Sequence, residues 1–109
     1  MIFACSGCAD VGELADQAAR KLSREGVGKM FCLAGIGGRV SGILKSAEAA
    51  QSILAIDGCP LDCTQKTLDL AGVATTQHLR LSELGFEKGK IEVSTAAIEK
   101  VVEHAKRCL

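Results

Sequence analysis

The stretch Ile53–Cys63, ILAIDGCPLDC, constrains this chain more than any other. Ile53, Leu54, Ala55 and Ile56 form a short, unbroken apolar run, as in a strand buried on both faces of a parallel sheet. The run stops at Asp57-Gly58-Cys59-Pro60. Proline suits the first position of a helix, where its missing N–H costs nothing. Leu61, Thr64, Leu68 and Ala71 then recur at helical spacing until Gly72. A strand feeding a helix through DGCP leaves Cys59 at the strand tip. A helix from Pro60 would set Cys63 one turn on, facing the same way.

The flanking sequence repeats this alternation. Ile2–Ala4 reads as a first strand, followed by a Cys5-Ser6-Gly7-Cys8 loop. Asp10 then has capping-box spacing to Glu13, and Val11, Leu14, Ala15, Ala18 and Leu22 give an amphipathic helix ending at Gly26. Lys29–Ala34 (KMFCLA) reads as a second strand with Cys32 near its end, and Gly35–Gly38 as a flexible turn into a helix carrying Val40, Ile43, Leu44 and Ala47. Gln77–Ser82 alternates apolar and polar residues, the pattern of an edge strand. A glycine-containing loop from Glu83 to Val93 precedes a last helix, capped by Ser94 and faced by Ala97, Ile98, Val101, Val102 and Ala105.

The expected fold is therefore α/β: a single domain over residues 1–109, ordered βαβαβαβα, with a four-stranded, mainly parallel sheet and helices on both faces. Its length allows burial of roughly two-thirds of the unfolded surface. Apolar residues make up 48% of the chain but aromatic residues only 3%, so the core must be aliphatic and alanine-rich. Thirteen basic and thirteen acidic residues cancel, and no basic run interrupts them. That argues against nucleic acid or an anionic membrane as partner. No apolar stretch approaches the roughly 20 residues of a membrane span. Met1–Cys5 lacks the charged and apolar regions of a secretory signal, so the expected location is cytoplasmic.

In a reducing compartment, six cysteines among 109 residues point to metal ligands or reactive thiols rather than structural disulfides. Sites in such sheets lie beyond the carboxyl ends of the strands. Cys5, Cys8, Cys32, Cys59 and Cys63 all fall there; Cys108 does not. The pairs Cys5/Cys8 and Cys59/Cys63 offer two bidentate arms, and four thiolates in a tetrahedron are a usual zinc site. An Fe–S cluster uses the same ligands. A catalytic zinc keeps an open position, which five available thiols disfavour, so a resident or transported metal is expected ahead of an enzyme. The alternative is a thiol enzyme of redox or sulfur-transfer type, with Cys5 or Cys59 as nucleophile and a neighbouring cysteine as resolving thiol.

Other motifs fit less well. Cys32 and Arg39 are separated by six residues, one more than a phosphatase loop has. Gly35-x-Gly37 lacks the third small residue of a dinucleotide turn. Cys5-x-x-Cys8 has thioredoxin-like spacing without the opposing proline. Asp57 and Asp62 read as carboxylates at a helix start, and His78 and His104 as residues away from the rim.

With CSG at Cys5–Gly7, KMFCLAGIG at Lys29–Gly37 and IDGCPLDC at Ile56–Cys63, the chain resembles the DGC family of small proteins, from Cys5 to about Phe86. That resemblance implies zinc binding through four cysteines, here Cys5, Cys32, Cys59 and Cys63, with no assigned biochemical role. Cys8 stands where other members often carry a small residue. The paired-motif argument selects Cys8 and the resemblance selects Cys32, so all five remain candidates.

Overall fold

A computed structural model describes all 109 residues. Its sheet has three strands, all parallel, in the order β1 (Ile2–Ala4), β2 (Leu54–Asp57), β3 (Gln77–Arg80). Ile2 lies opposite Leu54, and Leu54 opposite Gln77. Alternate strand residues face opposite layers. Ile2, Ala4, Leu54 and Ile56 pack under α1 (Asp10–Arg24) and α5 (Thr95–Cys108), with Leu14, Ala18, Leu22, Val101 and Val102. Phe3, Ile53 and Ala55 pack on the other side, against α2 (Leu33–Gly37), α3 (Ser41–Glu48) and α4 (Cys63–Leu70). Small residues on α1, Ala15, Ala18 and Ala19, are fully buried and let that helix lie close on the sheet.

The α/β class and the helices on both faces agree with the sequence, but the strand count does not. Lys29–Ala34 is not a fourth strand. It contributes one parallel bridge, Met30 to Ile2, with hydrogen bonds from the Ile2 N–H to the Lys29 carbonyl (2.8 Å) and from the Phe31 N–H to the Ile2 carbonyl (2.9 Å). The chain then turns, because the Cys32 sulfur accepts the Gly35 N–H (3.3 Å) and caps α2. Leu33 of the supposed strand becomes a helix contact, and with Ile36 of the supposed turn it forms the α2 face of the core. A short apolar run fits either element, and here the cap decides for helix.

Three further expectations change. The helix after DGCP starts at Cys63, not Pro60, because Asp62 takes a left-handed conformation (φ 55°) that interrupts it. Asp10 is the first residue of α1 rather than its cap, and no capping box forms. The 77–82 strand stops at Arg80 and tightens into a 3-10 turn, Leu81–Leu84. None of the helices is long and apolar enough to cross a membrane.

The topology places the site. From β1 the chain crosses by α1 to Met30 on one side, and from β2 it crosses by α4 to β3 on the other. The crevice between β1 and β2 is therefore the point where connections diverge to opposite faces, the usual site position in an open parallel sheet. The two loops that leave this crevice are the two that carry paired cysteines.

Candidate metal centre and the rim beside it

Cys5 directly follows β1, and its N–H donates to the Ile56 carbonyl at 3.1 Å, extending the ladder by one residue. Cys59 follows β2 by two residues. Close backbone packing fixes both loops. A Cβ on Gly58 would meet the Val11 backbone at 2.8 Å, and a Cβ on Gly12 would meet the Gly7 backbone at 2.7 Å. Neither neighbour is a flexible side-chain end, so glycine is required for the loops to press onto the first turn of α1. That contact is the structural reason for the glycine in the DGC tripeptide.

The five rim cysteines line two adjoining spaces. Cys5, Cys8, Cys59 and Cys63 border a cavity of about 200 Å³ under the start of α1. Cys5 and Cys63 also border an open groove of about 1050 Å³, together with Cys32. Cys5 and Cys63 thus stand on the wall between the two, with Cys8 and Cys59 on one side and Cys32 on the other. Cys8, Cys32 and Cys63 are exposed, Cys5 and Cys59 half-buried, and none is in a disulfide. The sulfurs are not drawn into a tetrahedron; the ligand atoms that do gather within 4.8 Å of one another are those of Asp57, Asp62 and His78. Burial pushes the Cys5 thiol up, against the N–H groups of Gly58, Gly7 and Ser6, which pull it down. Cys108 ends α5 and packs at the edge of the core, away from the rim.

The loop before α5 closes over the small cavity. Asp10 accepts the N–H of Gly89 (2.9 Å) and of Ile91 (3.1 Å), which hold its carboxyl below the usual range. Lys88, on that loop, brings its Nζ to 4.0 Å from the Cys59 sulfur. Asp10 read in the sequence only as a helix cap and Lys88 did not stand out, because the contact that holds this loop joins positions about eighty residues apart.

His78, expected away from the rim, instead joins this edge. Asp57, 1% exposed, accepts the N–H of Thr64 (2.7 Å) and Gln65 (3.2 Å) and lies 2.8 Å from His78 Nε2. It is a helix-start carboxylate for α4, as expected, and also the anchor of β3. Asp62 pairs with Arg80 through two bonds, at 2.8 and 2.6 Å, which hold its carboxyl below the usual range. A cation at Asp57, Asp62 and His78 would have to displace Arg80 and compete with two backbone N–H groups. The cluster is a strut.

A parallel three-layer domain with a cysteine-lined carboxyl edge is thereby defined. The chain belongs to the DGC domain family, whose model matches residues 1–105. It is 43% identical over 88 residues to the anaerobic and virulence modulator AnvM of Pseudomonas aeruginosa, a match covering 81% of this chain and 67% of that protein. No solved structure matches it.

Proposed function

We propose that the domain is a thiolate metal module, holding one zinc ion through Cys5, Cys59, Cys63 and either Cys8 or Cys32. The observation that carries this reading is the convergence of five cysteines on one switch-point crevice, with Cys5 and Cys63 shared by the two spaces there. The donor set suits a soft, tetrahedral ion: four sulfurs and no competing carboxylate, since Asp57 and Asp62 are already engaged. The sulfurs stand apart, so loading the site would draw two loops and the start of α4 together. That makes the ion a fold staple or a cargo, a role compatible with regulation, and the relative named as a modulator supports a regulatory setting.

The test is metal per chain after purification without affinity metals, paired with a free-thiol count. The reading expects about one zinc and about four thiols protected until a chelator is added. Single serine variants then assign the fourth ligand: whichever of Cys8→Ser and Cys32→Ser loses the ion names it. Full metal content in Cys59→Ser would overturn the reading.

A second reading, thiol redox or sulfur transfer, is favoured by the Lys88 ammonium at 4.0 Å from the Cys59 sulfur. It expects no metal, fast alkylation at Cys59, and slower alkylation in Lys88→Gln.

A further inference from the structure

The open groove on the Cys32 side has a composition that the metal reading leaves unused. Two cations line it without an acidic partner: Arg24, in the last turn of α1, and Lys29, whose ammonium lies 5.9 Å from the Phe31 ring centroid. Arg20, also at the groove, is already matched by Asp16 at 2.6 Å. Met30 and Phe31 give the groove an apolar wall, and the exposed Cys32 also lines it, its sulfur held by the Gly35 N–H. From Lys29 to Cys32 the near-extended chain spans about 10 Å. The groove's volume, about 1050 Å³, suits a small organic molecule rather than a bare ion.

We propose that this groove receives small carboxylate-bearing disulfides and exchanges with them at Cys32. Arg24 and Lys29 hold the carboxylates, the apolar wall takes the body, and the sulfur is presented to Cys32. The step balances without an outside oxidant. The Cys32 sulfur, its proton given to solvent, attacks one sulfur of the disulfide. A new S–S bond forms to that half, the original S–S bond breaks, and the other half leaves as a thiolate with the electron pair. A second anionic thiol reverses it. The proposal goes beyond the metal reading and does not depend on it.

The experiment compares oxidised glutathione, which is anionic, with cystamine, which is cationic, at low ionic strength. Mixed disulfide at Cys32 is read by intact mass and peptide mapping. Taking the anionic-to-cationic rate ratio relative to the same protein in urea cancels the intrinsic chemistry of the two reagents. The folded protein should favour the anionic disulfide by about tenfold or more, and the preference should shrink with added salt. R24Q/K29Q, which changes two exposed side chains, should bring the ratio to the urea value, and Cys32→Ser should abolish the adduct.

Zinc is counted on the same samples, with and without chelator. Charge-selective exchange that appears only after chelation supports the groove and shows that the bound ion blocks access to Cys32. Charge-selective exchange in protein that never binds zinc supports the groove while the metal reading fails. An unchanged ratio in R24Q/K29Q, or modification of other cysteines with Cys32 intact, would overturn the proposal.

Discussion

The carboxyl edge of the sheet has two halves, and they are finished to different degrees. On the β2/β3 side the carboxylates and the strand cation are paired within the chain: Asp57 with two backbone N–H groups and His78, Asp62 with Arg80, and Arg80 with Glu83 as well. On the β1/β2 side five thiols border a small cavity and an open groove, and the contacts they make are weak: backbone N–H groups on Cys5 and Cys32, a distant ammonium on Cys59. The same topology produced both halves. The satisfied half holds the fold whether or not anything binds, and the open half has capacity left for a ligand. Function is therefore sought among the thiols and not at the one compact cluster of ligand-type atoms.

If this division is right, the largest loss of stability comes from the satisfied half. Asp57→Ala removes the acceptor for Thr64 and Gln65 and the nearer carboxylate from His78. A lost helix cap together with buried unpaired donors should cost on the order of 3 kcal/mol, seen as a fall in melting temperature of roughly 10–15 °C. Gly58→Ala comes next. Its Cβ would sit 2.8 Å from the Val11 backbone, so one loop must shift, at about 1–3 kcal/mol by chemical denaturation. Because Gly58 lies between the halves, that shift should also reduce metal content. A Gly58→Ala protein with wild-type stability and metal would mean the DGC loop is not set by this contact.

The cysteines should behave in the opposite way. In chelated protein, serine at position 5, 8, 59 or 63 should change stability by within about 1 kcal/mol, the range of substitutions that break no core packing. With zinc added, the variants of true ligands should lose the stabilisation that the wild type gains. If Cys59→Ser cost as much as Asp57→Ala without metal, the open half would be structural too, and the comparison would fail.

Much of this arrangement was legible because it is local. The apolar runs at Ile2–Ala4 and Ile53–Ile56 became strands, and the helical periods through Leu14 and Val101 became the two helices of one layer. The convergence of Cys5 and Cys59 followed from those elements and parallel topology alone. What stayed hidden depends on contacts between distant residues or on a few competing hydrogen bonds. Cys32 ends a would-be strand by capping a helix with its own sulfur, a role its neighbours do not advertise. His78 shows alternation along its own strand but not the aspartate on the strand beside it. Lys88 reaches Cys59 only because Asp10 holds a loop far away in sequence.

The smallest expected effect concerns acid, and it tests the same division at the level of charge. Glu25 joins α1 to α5 through Lys106 (3.1 Å) and Lys21 (3.3 Å), and these ammonium groups lower its pKa below the ordinary carboxyl value. A carboxyl whose folded pKa is depressed contributes stability that is present above its unfolded pKa, near 4.5, and is lost as pH falls through the folded value. Asp16, held low by Arg20, and Asp62, held low by Arg80, act with the same sign. Metal-free protein should therefore lose stability progressively below about pH 4.5. Glu25→Gln should be slightly less stable than the wild type at pH 6–7, and the gap should close as the pH approaches 3. No cysteine takes part in these ion pairs, so the cysteine variants should run parallel to the wild type across that window. An acid limb that moved with Cys5→Ser or Cys59→Ser, and not with Glu25→Gln, would show the thiol edge carrying fold energy that the division assigns to the carboxylates.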